Sequence, residues 1–103
     1  MPSLCWRLDK LFHRMRAELP GLKRLPSEYI REHVWLTSQP MEEPADRLQV
    51  LDVIDWMGWD RLLFATDYPH WDYDDPSFVL PQGVSDADRR GFFLGNALKV
   101  YGL

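Results

Sequence analysis

The residue best placed to do chemistry in this sequence is Asp67. It stands where a short apolar run, Leu62-Leu63-Phe64-Ala65, gives way to Thr66-Asp67 and then breaks at Pro69. An unbroken apolar run that ends in polar residues and a turn signal suits a strand buried on both faces, as in a parallel sheet. The carboxyl ends of such strands are where α/β proteins place their chemistry. A carboxylate at that point has three uses. It can ligate a divalent metal, act as a general acid or base if its pKa is displaced, or cap the following turn, as Asp commonly does. Spacing alone favours the cap. His70 follows in the same loop and shares a site with Asp67 only if the turn folds back.

Other chemistry-bearing residues carry weaker signals. Asp72, Asp74 and Asp75 follow in the loop, but they lack the glycine and the distal glutamate of an EF-hand, which argues against a calcium loop. Glu42 and Glu43 sit after a second strand-like run, within reach of a substrate or cation, and read equally well as exposed carboxylates near a helix start. Cys5 is the single cysteine. It lies in a helical segment, where packing is the simpler reading, as a surface or boundary position is for His13. No Ser/His/Asp or Cys/His nucleophile arrangement and no Cys/His zinc spacing is present.

The elements that must position Asp67 follow from periodicity. Residues 1–19 carry Leu4, Leu8, Leu11, Phe12, Met15 and Leu19 on one helical stripe, with Ser3 as N-cap and Pro20-Gly21 as terminator. Residues 22–32 read as a polar connector, with a helical turn from Pro26 capped by Ser27. His33 to Ser38 reads as a strand closed by Pro40. Asp46 to Met57 reads as a helix capped by Asp46, with Val50, Val53, Ile54 and Met57 facing the core and Gly58 ending it. Residues 61–66 form the second strand. Strand, helix, strand at this spacing is one βαβ unit, which brings Gln39 and Asp67 to the same sheet edge. A long loop, about 68–84, precedes a last helix capped by Ser85, with Phe93, Ala97, Val100 and Tyr101 on one face.

Composition bounds the function classes. A chain of 103 residues makes one small domain with a modest core. Net charge is −4 and uneven: residues 1–35 hold seven Lys/Arg against four Asp/Glu, and the rest five against twelve. The basic part lacks the glycine-rich or aromatic-interleaved pattern of a nucleic-acid binder and reads as a solvated helix face. No run approaches membrane-spanning length, and the N-terminus lacks the long apolar core of a signal peptide. The lone cysteine fits a reducing compartment, so the expected location is the cytoplasm. Five Trp in so short a chain predict more apolar surface than one small domain can cover.

Three stretches resemble one family: LPSEYIREHVWLTSQPMEEP, then RLLFATDYPHWD, then RRGFFLGNALKVYGL. In that order they are similar to the C-terminal part of amidohydrolase-related metal-dependent hydrolases, the branch that includes aminocarboxymuconate-semialdehyde and resorcylate-type decarboxylases. The resemblance covers roughly residues 22–103, with the first helix fitting as the element before strand seven. It implies an α/β fold, the C-terminal fragment of a TIM (β/α)8 barrel, with about two parallel strands and three helices forming a single partial domain over 1–103. It further implies that Asp67, at the end of strand eight, binds the catalytic divalent metal and handles protons, with His70 and Trp71 lining the pocket mouth. The metal would be zinc or manganese in the complete barrel, and the substrate a small carboxylate or amide. The pattern departs from the family where the histidines are concerned: there is no H-x-H, and His13, His33 and His70 do not match the family's metal histidines. Barrels of this kind need about 250 residues. The expectation is therefore the tail of a longer enzyme, inactive and without tightly bound metal by itself, prone to self-association through uncovered apolar faces. The alternative is a non-enzymatic small α/β interaction protein or a barrel-completing subunit.

Overall fold

The computed structural model describes residues 1–103. They form two compact units, residues 1–34 and 35–103.

In the first unit, helix α1 spans Pro2–Arg14 and helix α2 spans Pro26–His33. The cap of α1 is Met1, not Ser3. Pro2 occupies the first turn, where its missing N–H costs nothing. The helix stops at Arg14, earlier than the apolar stripe suggests, and a 3-10 turn, Arg16–Glu18, follows. Residues 26–33 are a full helix and not a polar connector, because their N-terminus is held by Asp9 of α1 and by Glu28 of the helix itself. The Ser27 N–H donates to Asp9 Oδ1 at 2.9 Å, and the Leu25 N–H donates to Glu28 Oε2 at 2.7 Å. Both place negative oxygen at the positive end of the helix. Ser27 is thus a buried backbone donor, and Leu25 holds the cap position. Of α1, only Cys5 and Phe12 are fully covered; Leu4, Leu11 and Met15 stay exposed on the expected stripe.

The second unit carries the site. Strands β1 (Leu36–Thr37) and β2 (Leu62–Leu63) pair in parallel, Leu36 with Leu62 and Thr37 with Leu63. Both are shorter than the sequence suggests, since two strands without further neighbours sustain little ladder. The Arg61 guanidinium lies over the Trp35 ring at 4.7 Å and ties the strand starts together. Helix α3, Gln49–Met57, bridges the strands. Asp46 does not cap it: its carboxylate accepts from the Leu48 N–H at 3.0 Å, holding a preceding turn, and the helix begins after Leu48. Val50, Ile54 and Met57 are buried, but Val53 is exposed, because the helix is covered on one side only. Gly58 ends it at φ 101°, a conformation suited to glycine.

The last helix, α4, runs from Asp86–Arg90 through a π-helical turn, Gly91–Gly95, into Asn96–Tyr101. The Ser85 hydroxyl caps it, accepting from the Asp88 N–H at 3.1 Å. The wide turn shifts the buried face. Phe92, absent from the expected set, is wholly buried, with Asn96 one turn further on, while Tyr101 is exposed. Phe92 joins Val50, Ile54, Val79 and Leu80 in the core. Asn96 Nδ2 donates to the carbonyls of Trp59 at 2.7 Å and Leu62 at 2.8 Å, and the Phe92 carbonyl accepts from the Phe64 N–H at 3.1 Å. These three bonds fix β2, and hence Asp67, against α4. The unit is therefore α/β, and the chain holds four helices and two parallel strands, one helix more than the sequence reading. No helix is long and apolar enough to cross a membrane.

Candidate functional site at the carboxyl edge

Because the strands run parallel, both carboxyl ends meet at one edge. Ser38, buried just past β1, makes the join there. Its N–H donates to the Leu63 carbonyl at 2.9 Å, and its hydroxyl accepts from the Ala65 N–H at 3.1 Å. The Gln39 amide donates to the Asp72 carbonyl at 3.0 Å. The Gln39–Pro40 and Tyr68–Pro69 bonds are both cis.

Residues 66–74 form a closed loop. The Asp74 N–H donates to the Thr66 carbonyl at 3.0 Å, closing the neck. Asp67 adopts φ 56°, a left-handed conformation that Asp tolerates better than most residues. The turn then folds back, with the His70 N–H donating to the Asp67 carbonyl at 2.8 Å. This brings His70 Nδ1 to 3.8 Å from Asp67 Oδ2, so the two residues do face one site. The capping task that spacing favoured for Asp67 falls instead to Thr66, whose hydroxyl accepts from the Tyr68 N–H at 3.3 Å. The Asp67 carboxylate is exposed beside the imidazole.

Asp72 is the member that sequence reasoning missed. Its Oδ1 lies 2.5 Å from His70 Nδ1. That hydrogen bond, with the nearby charges of Asp72 and Asp67, pushes the imidazole pKa up, and the same bond pulls the Asp72 carboxyl down. The signal was the pair of carboxylates flanking His70, hidden because Asp72 looked like one of three loop aspartates. Those three do not act together. Asp75 accepts from the Ser77 N–H at 2.7 Å and holds a turn. Asp74 turns toward a separate cleft of about 270 Å³ shared with Glu43, Arg47 and Phe78. One Asp74 oxygen is buried without a partner, and burial pushes that carboxyl up against the opposing pull of the Met41 N–H. Glu43 is engaged with Arg47 at 2.7 Å. Trp71 is 86% exposed beside His70, at the rim.

One donor atom each from Asp67, His70 and Asp72 lies within 4.8 Å of the others. Two carboxylate oxygens and an imidazole nitrogen are a donor set that suits zinc or manganese. The set supplies three ligands at most, all from one exposed loop.

Residues 5–103 match the amidohydrolase family. The chain belongs to that family. It is also 31% identical, over its whole length, to a gamma-resorcylate decarboxylase from Polaromonas sp. (strain JS666 / ATCC BAA-500). The chain spans about a third of that relative, 31% of its length. The resemblance read from the three sequence stretches therefore holds, and the amidohydrolase match extends it through most of α1.

Proposed function

We propose that this amidohydrolase chain is the closing part of a (β/α)8 barrel whose complete form is a metal-dependent hydrolase or decarboxylase acting on a small carboxylate or amide. The observation that carries the reading is the placement of Asp67: at the carboxyl end of a parallel strand, released from capping by Thr66, with its carboxylate beside an imidazole. Asp67 would hold a divalent metal. Bound there, such a metal supplies a water acidified to a pKa of about 7 and polarises a carbonyl or carboxylate oxygen. Asp67 would accept a proton during the reaction or return one to substrate carbon, and His70 and Trp71 would border the substrate. Residues 1–103 then count as one partial domain of that barrel.

The exposed apolar side chains support the partial-barrel reading. Phe78, Leu94 and Tyr101 stand 60% or more exposed, and the sheet consists of two strands of two residues each with no third strand beside them. The same surface favours, as a second reading, a chain that completes a barrel contributed by another copy or subunit.

Calorimetric titration of the purified 103-residue chain with zinc and manganese tests the assignment. Weak binding is expected, lost in Asp67→Ala, with no turnover by the isolated chain. Equal binding by chain and variant would remove Asp67 from the metal's ligands.

A further inference from the structure

We propose that a second copy of this chain docks the outer face of its α3 into an apolar cleft on α4. The inference deepens the second reading above, in which another copy meets this one; it rests on that reading and names the faces. The cleft has a volume of about 410 Å³ and is lined by Arg89, Arg90, Phe93, Leu94, Gly95 and Leu98. Its lining is almost wholly apolar, so the two arginines contribute their aliphatic stems and hold their guanidinium heads at the rim. Leu94 and Leu98 stay exposed there, with nothing from their own chain across them. An apolar cleft bordered by positive charge suits an amphipathic helix that carries a carboxylate beside its apolar side chains.

The same chain presents such a helix. Leu48, the cap residue of α3, already has helical backbone angles, and Asp52 stands one turn further on with Val53 beside it. All three side chains are exposed. Asp52, Arg89 and Arg90 form no ion pair within the chain, so their charges are open to a partner outside it. Charge then selects the pairing. The α3 face set against its own copy would bring Asp52 to Asp52, and the cleft set against its own copy would bring arginine to arginine. The contact of α3 with α4 is the one that places opposite charges together while it covers Leu48, Val53, Leu94 and Leu98. One helix-on-helix contact lies at the small end of specific interfaces, so the association is weak and depends on concentration.

The test is sedimentation velocity of the metal-free 103-residue chain over a concentration series up to about 1 mM, the range of weak contacts. The wild-type chain is expected to self-associate as concentration rises. Asp52→Arg, and separately the pair Arg89→Glu with Arg90→Glu, should each weaken association about tenfold or more, because like charges then face each other across the contact. All three substitutions together exchange the signs, restore opposite charges and should bring the association back. Far-UV circular dichroism follows the fold of each variant. A wild-type chain that stays monomeric throughout overturns the proposal and the second reading with it. Undiminished association in Asp52→Arg, or a folded triple variant that does not regain association, overturns the assignment of these two faces and leaves another copy as the partner. No metal takes part, so the result is independent of whether Asp67 binds one, which the calorimetric titration decides separately.

Discussion

Replacing Asn96 with alanine should destabilise the chain far more than the loss of one small polar group suggests. Its Nδ2 serves two carbonyls, Trp59 at 2.7 Å and Leu62 at 2.8 Å, and these flank the entry to β2. Alanine removes both donors and leaves two acceptors in a partly buried seam. A hydrogen bond contributes about 0.5–1.5 kcal/mol net, and an acceptor left buried without a partner costs about 1–3 kcal/mol. For bonds that are only part-buried we take about 1–2 kcal/mol each, or about 2–4 kcal/mol for the pair. Small domains hold about 5–15 kcal/mol in total, and about 1 kcal/mol moves Tm by 4–8 °C at this size. The expected fall in Tm is therefore about 10–25 °C, followed by far-UV circular dichroism and by tryptophan fluorescence. Lys99→Ala, exposed on the same helix, is the control and should change little. Asn96→Asp should be at least as damaging at neutral pH, because an ionised carboxylate brings no donor and faces two carbonyl oxygens. A Tm loss under about 4 °C for Asn96→Ala would refute the reasoning, since it would mean that neither bond contributes as much as 1 kcal/mol.

Two further outcomes follow from the same structure. Gly58→Ala should cost about 1–2 kcal/mol in urea denaturation, because a side chain at φ 101° is strained and the added Cβ would stand 2.9 Å from Asp60 Oδ1. Asp74→Asn should raise Tm at pH 7. Burial raises the folded-state pKa of Asp74, so ionisation costs stability above the unfolded carboxyl range, near about pH 4, and the cost disappears as pH falls below it. The advantage of the variant should therefore shrink in melts carried down to about pH 4; an advantage that grows on acidification would contradict the assignment.

Some of this was legible in the sequence because it depends on local chemistry. The run Leu62–Ala65 followed by Asp67 marked a strand end, Gly58 marked a helix end, and Ser85 with Asp88 marked a helix start; each rests on contacts within a few residues. The three family-like stretches pointed to the amidohydrolase family because motif order survives where contacts cannot be seen. Tertiary structure decided what depends on residues far apart in the chain. Helix α2 looked too polar to matter, yet Asp9, eighteen residues away, supplies its cap. Phe92 is buried within the π turn of α4, a departure from the 3.6-residue period on which every face assignment rests. The candidate site divides in the same way. Asp67 could be named from its place after a strand, since residue type and position suffice for that. The pairing of His70 with Asp72 could not, because a loop has no period to put two side chains on one face. Their meeting depends on a neck closed by Thr66 and Asp74 and on an anchor from Gln39, a residue that only the parallel pairing of β1 with β2 brings within reach.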